Sequence, residues 1–282
     1  MPARSVAYGT RLSVVCFTLG GLTAAAQSPV QPDCPRGTLP AYAHNDYINT
    51  RPLHDALSLG YKGVEADVFL VEGVLRLGHD RKAAARGAAF EAQYLAPLRS
   101  LVARCGTLTA DARGFLLNVE LKEVSPSTFD TLVVLLARYA DLFTSRGGNV
   151  VPGGRSTPAV EVVLVGWSPP VLPDDTLIPM GRQARLRHAD ERALEVTDPS
   201  VRLISLDYGK TMGRWWVTAG KRRRWLATIR ATRAAFPAQR IRAYDVPVSE
   251  RVYRDLLGAG VDLIGTMHLE RTARVLGAVR DP

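Results

Sequence analysis

Residues 63–81, GVEADVFLVEGVLRLGHDR, bring two carboxylates, a turn and an imidazole into one short unit. The apolar run Gly63–Leu70, with branched Val64 and Val68, predicts a strand. Side chains on a strand alternate between faces, so Glu65 and Asp67 emerge side by side. Two adjacent carboxylates repel, and burying them unpaired is expensive. A hard divalent cation with oxygen ligands removes that penalty. Glu72-Gly73 then turns the chain, Val74–Leu77 runs on, and His79-Asp80 follows. A wet surface strand would give the same local pattern, so this unit alone does not decide. Two further stretches do. Leu39–Ala43 is a short apolar run ending in His44-Asn45-Asp46-Tyr47, and Phe115–Lys122 is an apolar strand with Glu120 and Lys122 on one face. His, Glu-x-Asp, His-Asp and Glu-x-Lys, each at or near a strand end, point to a catalytic site.

The string AHNDY…RPLHDAL…GYKGVEADVFL…LRLGHD…LNVELKE resembles the glycerophosphodiester phosphodiesterase and phosphatidylinositol-phospholipase-C-like superfamily. It is most similar to the branch of altered-inheritance-of-mitochondria type proteins, with spider-venom sphingomyelinase D a more distant relative. The specific motifs run from about Ala43 to Lys122, and a weaker pattern continues to the C-terminus. The resemblance implies an α/β chain folded as a single (β/α)8 barrel. It implies His44 and His79 as acid and base, Glu65, Asp67 and Glu120 as ligands of one Mg2+ or Ca2+, and Lys122 as a phosphate contact. The sequence does not order the two imidazoles; His44 as base and His79 as acid is the working assignment. Three positions depart from the family pattern. Tyr244 stands where relatives often carry Trp, Met267 where they often carry Asp or Asn, and Asn45 replaces the Arg that follows the first His.

A barrel needs alternating strands and helices to place these groups at one end. Pro52 suits a first helical turn, with Leu53, Ala56 and Leu57 as its apolar face and Gly60 as its stop. Gln93–Arg104 reads as a helix. Ser127 and Asp130 read as a capping pair for a helix with the stripe Phe129, Leu132, Val133, Leu136 and Phe143. Glu161–Val165 is expected as the fourth barrel strand, Thr176–Ile178 as the fifth and Leu203–Leu206 as the sixth, ending at Asp207. Lys221–Phe236 reads as a helix, Arg240–Tyr244 as a strand, Ser249–Leu257 as a helix and Asp262–Thr266 as the last strand. Asp207 sits where barrel enzymes place working residues, and a capping role fits it equally well.

Met1–Ala26 carries Arg4 and Arg11, an apolar stretch from Leu12 to Leu22 and the small-residue site Ala24-Ala25-Ala26. That is the pattern of a cleaved export signal, leaving residues 27–282 as the barrel domain of a secreted or periplasmic protein. An uncleaved anchor is the alternative, but the apolar run is short for a bilayer. Removing the signal takes Cys16 and leaves Cys34 and Cys105, a pair that can form a disulfide in an oxidising compartment. No Cys/His spacing suggests zinc. Net charge is +9, falling to +7 without Arg4 and Arg11. The excess is spread along the chain and arginine-rich, so it gives no ground for a nucleic-acid partner. Lys221-Arg222-Arg223-Arg224 reads mainly as a solvated face, with peripheral contact to an anionic membrane as the lesser reading.

The substrate implied is a small-molecule or phospholipid phosphodiester, handled by a monomer. Other readings stay open: a catalytically weak headgroup-binding barrel, a phospholipase D-like activity forming a cyclic phosphate, or a barrel hydrolase of another bond. The signal makes a direct prediction. Mass spectrometry of the exported protein should find Gln27 at the N-terminus, and an intact Met1 would overturn the export reading.

Overall fold

Strands β1 (Leu39–Ala43), β2 (Tyr61–Val71), β3 (Val74–Leu77), β4 (Phe115–Leu121), β5 (Val160–Gly166), β6 (Gly181–Leu186), β7 (Val201–Asp207), β8 (Arg240–Tyr244) and β9 (Leu263–Thr266) form one sheet. All neighbours are parallel except the hairpin β2–β3. Because β1 pairs with both β2 and β9, eight strands close into a barrel and β3 lies outside the ring. Around it run α1 (His54–Ser58), α2 (Arg81–Ala84), α3 (Ala96–Cys105), α4 (Pro126–Ala137), α5 (Tyr208–Met212), α6 (Ala219–Ala235), α7 (Glu250–Gly258) and α8 (Leu269–Arg280). This is a single (β/α)8 barrel. The computed structural model describes residues 34–143, 158–167, 169, 180–186, 200–213 and 218–280. Met1–Ala26, expected as an export signal, lies outside the described residues, among which no helix is long and apolar enough to cross a membrane.

Period-two alternation divides each strand between two environments. Val64, Ala66 and Val68 of β2 and Leu117, Val119 and Leu121 of β4 pack outward with Leu98 of α3 and with Leu132 and Leu136 of α4. Each buried Val or Leu among them contributes roughly 1.5–3 kcal/mol. Tyr42, Leu116, Val163, Leu203 and Leu263 form a second cluster inside the barrel. The ring of Tyr42 lies so close to Gly265 that a Cβ there would sit 2.4 Å from it, so only glycine fits. Above this apolar floor the same inward face turns polar, with Glu65, Asp67, Asn118, Ser205 and Arg242 all buried.

At the opposite end of the strands a buried cation ties the barrel together. Arg240, 0% exposed, donates to Glu161 at 2.7 Å, to Asp111 at 3.0 Å and to the Gly114 carbonyl at 2.6 Å. A second tie is covalent. Cys34 and Cys105 form the expected disulfide, across a sequence separation of 71, between the chain entering β1 and the last turn of α3.

Some expected boundaries move. Leu53 precedes α1 with a left-handed φ of 66°, so Pro52 belongs to the turn and not to the helix. The cap of α4 is Ser125, whose Oγ accepts from the Thr128 amide at 3.3 Å, and not Ser127. Pro126 explains this: proline suits the first helical position, which makes the residue before it the cap. Phe143 is buried but lies beyond α4, after a short turn at Ala140–Leu142. Thr176–Ile178 lies outside the described residues, and the fifth barrel strand is Gly181–Leu186. Its sequence, GRQARL, lacks the β-branched and aromatic residues that advertise a strand.

The Arg240 cluster makes a stability prediction. Arg240→Met should leave the mostly buried Glu161 carboxylate without its cation and lower unfolding free energy by about 3 kcal/mol, read from the urea midpoint. An unchanged midpoint would show that the cluster does not hold the floor.

Candidate functional site

Parallel pairing of β2 with β4 sets Glu65 beside Asn118 and Asp67 beside Glu120. Ligand oxygens of Glu65, Asp67 and Glu120 all lie within 4.8 Å of one another. Three carboxylates at this spacing repel. Burial, followed by the neighbouring Asp67 charge, raises the pKa of Glu120 above the usual carboxylate value, with Lys122 opposing.

Cations and donors around the triad offset that repulsion. Lys122 Nζ lies 3.3 Å from Asp67 Oδ2 and 3.5 Å from Glu120 Oε1. Tyr47 donates its hydroxyl to Asp67 Oδ2 at 2.9 Å. Burial, then the Asp67 charge, pushes the Tyr47 phenol far above its ordinary pKa, so it stays a neutral donor. His79 Nδ1 faces the same oxygen at 3.1 Å. Asp67 Oδ2 therefore meets three groups, whereas its buried Oδ1 has no hydrogen-bond partner. An orphaned carboxylate oxygen at 0% exposure, inside a set of hard oxygen donors, fits a divalent cation.

Each imidazole is held by a different element. His44 follows β1, where its amide donates to the Thr266 carbonyl of β9 at 2.9 Å. Its Nε2 lies 3.6 Å from Glu65 Oε2, and the Tyr244 ring stands edge-on to it at 6.1 Å. The loop behind it is organised by buried Asp46, which accepts from the Leu53 amide at 2.5 Å, Tyr94 at 2.9 Å and Asn49 at 3.1 Å. His79 reaches the site by the hairpin. Glu72 and Gly73 both have positive φ, the geometry of a tight two-residue turn, and β3 returns antiparallel until Gly78 N donates to the Asp67 carbonyl. Gly78 packs against α2, where a Cβ would meet the Ala84 nitrogen at 2.4 Å. Asp80 caps α2 through the Ala83 amide, which gives it a structural task beside His79. His79 remains 69% exposed at its side chain.

All six residues singled out by motif thus converge at the C-terminal ends of β1, β2, β3 and β4. Asp207 does not join them. It caps α5 through the Lys210 amide at 2.9 Å and accepts from Tyr244 at 3.0 Å, supporting the opposite wall. The basic start of α6 is divided as well: Arg222 pairs with Asp255, Lys221 donates to the Met212 carbonyl, and Arg223 and Arg224 are exposed. The main residue missed by sequence reasoning is Arg242. It is 3% exposed, with Nη1 at 3.4 Å from Glu65 Oε2 and Nε donating to Ser205 Oγ at 2.5 Å. Its guanidinium lies over the rings of Tyr42 and Tyr244, at 4.9 and 5.4 Å from their centroids. Burial works against its charge, but Tyr42 and Glu65 more than offset this and its pKa is raised. The one signal was inward placement: Arg242 and Tyr244 share a strand face.

Residues 35–141 match the family model of the AIM6-like phosphodiesterase domain. A curated relative, the altered inheritance of mitochondria protein 6 homolog of Arthroderma benhamiae, is 33% identical over 70 residues, covering 23% of this chain and 22% of the relative. The match thus spans about a fifth of that protein's length. The crystal structure of glycerophosphodiester phosphodiesterase from Agrobacterium tumefaciens aligns over 84% of this chain and 100% of its own, with a TM-score of 0.50 and 17% identity. At that identity the likeness shows a shared fold. Together these matches support the superfamily that the motifs resemble.

The orphaned oxygen ranks the candidate ligands. Titration calorimetry should find divalent-cation binding weakened in Glu65→Gln and Glu120→Gln and most in Asp67→Asn, each by at least about tenfold. Unchanged affinity in all three would place the cation elsewhere.

Proposed function

We propose that this chain is an exported phosphodiesterase that uses one divalent cation and two imidazoles to cleave a glycerophosphodiester or phospholipid-type diester. The AIM6-like domain match over residues 35–141 and the shared barrel support phosphodiesterase activity. The observation that carries the finer reading is the pairing of each imidazole with a different triad carboxylate, His44 with Glu65 and His79 with Asp67. That arrangement brackets the triad between two groups able to move protons near neutral pH.

Glu65, Asp67 and Glu120 would hold the cation. When bound, it would polarise a phosphoryl oxygen and offset the negative charge that builds during transfer. Lys122, already beside Asp67 and Glu120, supplies a second positive charge for the phosphoryl oxygens. His79 turns Nδ1 to Asp67, which leaves Nε2 to exchange a proton with substrate. Its open position suits the acid that follows a departing alcohol into solvent. His44, the more enclosed of the two, is the base that takes the proton from the attacking oxygen. Whether that oxygen belongs to water or to a substrate hydroxyl decides between hydrolysis and a cyclic phosphate, and phosphorus NMR of the product distinguishes the two.

His44→Ala and His79→Ala should each lose activity on an alkyl diester by roughly 10²–10⁴. A nitrophenyl diester leaves without protonation, so it should restore His79→Ala and leave His44→Ala slow. Rescue of His44→Ala in its place would reverse the roles. Near wild-type turnover in both variants would remove the pair from the mechanism.

A further inference from the structure

The six oxygens of the triad are not equally available to a metal ion. Asp67 Oδ2 is occupied by Tyr47, His79 and Lys122, while Oδ1 has no hydrogen-bond partner. Glu65 Oε2 faces Arg242 Nη1 at 3.4 Å and His44 Nε2 at 3.6 Å. Glu120 Oε1 lies 3.5 Å from Lys122. One oxygen of each carboxylate therefore faces a cation or donor, and the other oxygen of Asp67 has no hydrogen-bond partner.

We propose that this arrangement makes the site selective for Mg2+ over Ca2+, and that Arg242 is the positioning residue that enforces the choice. The inference rests on the metal reading above and extends it to the identity of the ion. Ca2+ takes six to eight oxygens, and a carboxylate that binds through both of its oxygens helps to reach that number. Mg2+ requires close to six at short distance, keeps several waters, and is served by single oxygens. Three carboxylates restrained to one oxygen each match the second requirement and frustrate the first.

Arg242 matters most because it cannot withdraw. Lys122 rides on a long flexible arm, with only its ammonium near Asp67 and Glu120. Arg242 is buried, fixed through Nε to Ser205, and lies over the rings of Tyr42 and Tyr244. Glu65 is 1% exposed, so its carboxylate has no solvent route away from the guanidinium. Its second oxygen stays turned to Arg242 whichever ion arrives. Removing the guanidinium frees that oxygen and lets Glu65 bind through both.

Charge and geometry are separated by measuring a ratio. Arg242→Met also removes a positive charge and so favours any dication, but Mg2+ and Ca2+ carry equal charge and that effect cancels between them. Calorimetric titration of the metal-free protein with MgCl2 and with CaCl2 should give the lower Kd for Mg2+ in wild type. In Arg242→Met the ratio should move toward Ca2+ by about tenfold, the scale on which groups behind metal ligands act. Circular dichroism confirms that the variant is folded. If it is not, Arg242→Lys decides: it keeps the buried charge but loses the guanidinium fork to Ser205 and Glu65, so it should move the ratio in the same direction. A wild type that prefers Ca2+, or a folded variant whose ratio is unchanged, overturns the proposal while leaving the metal reading intact. Failure of wild type to bind either ion overturns both.

Discussion

Repulsion among three carboxylates crowded within 4.8 Å is the constraint that the upper half of this barrel answers. In a partly desolvated site the interaction between such charges is several times stronger than in water. Every neighbour described around the triad is cationic, titratable or a donor: Lys122, Arg242, His44, His79 and Tyr47. Their placement is uneven. Arg242 and Lys122 supply fixed charge, Tyr47 a neutral hydroxyl, and the imidazoles charge that comes and goes with protons. The lower end uses the opposite solution, one buried cation, Arg240, surrounded by Asp111, Glu161 and a carbonyl. The apolar interior cluster of Tyr42, Leu116, Val163, Leu203 and Leu263 lies between the two charge systems and separates them.

Much of this was legible along the chain. The strand pattern of β1, β2, β4 and β8 is strong because their apolar residues alternate or run unbroken, and the motif residues lie at strand ends where a barrel exposes them. The six motif residues therefore emerged from local spacing, whereas the barrel and their roles came from the resemblance, with the alternation of elements in its support. What stayed hidden depends on contacts that spacing cannot carry. Arg242 meets Glu65 across a separation of 177 residues, and within IRAYD it reads as one more arginine in a basic chain. Tyr47 was visible only as the end of a motif, since it sits in the turn after β1 and its partner Asp67 lies on β2. β6 was obscured for a different reason: in GRQARL the neighbours, more than the residues, determine the strand.

Asp207 shows the limit of reasoning from position. It stands at the end of a barrel strand, as working residues do, yet its carboxylate holds the start of α5 and the Tyr244 hydroxyl. Its influence on the site passes through Tyr244, whose ring edge faces His44. A strand-end carboxylate can thus serve by steadying an aromatic wall, and only the hydrogen-bond partners distinguish this from chemistry.

The β2–β3 hairpin carries a consequence for how this chain can change over generations. His79 faces Asp67 because the antiparallel register from Val71–Val74 to Val68–Leu77 counts off a fixed number of residues after the turn. Side chains on such a ribbon alternate sides, so adding or deleting one residue in β3 would swing the imidazole to the far face and present Gly78 or Asp80. Changes in pairs would preserve the side but alter the reach. The segment from Glu65 to His79 is therefore transmissible only as a block of nearly fixed length, because its register is counted residue by residue. Divergent descendants of this barrel should differ in length almost anywhere before they differ there.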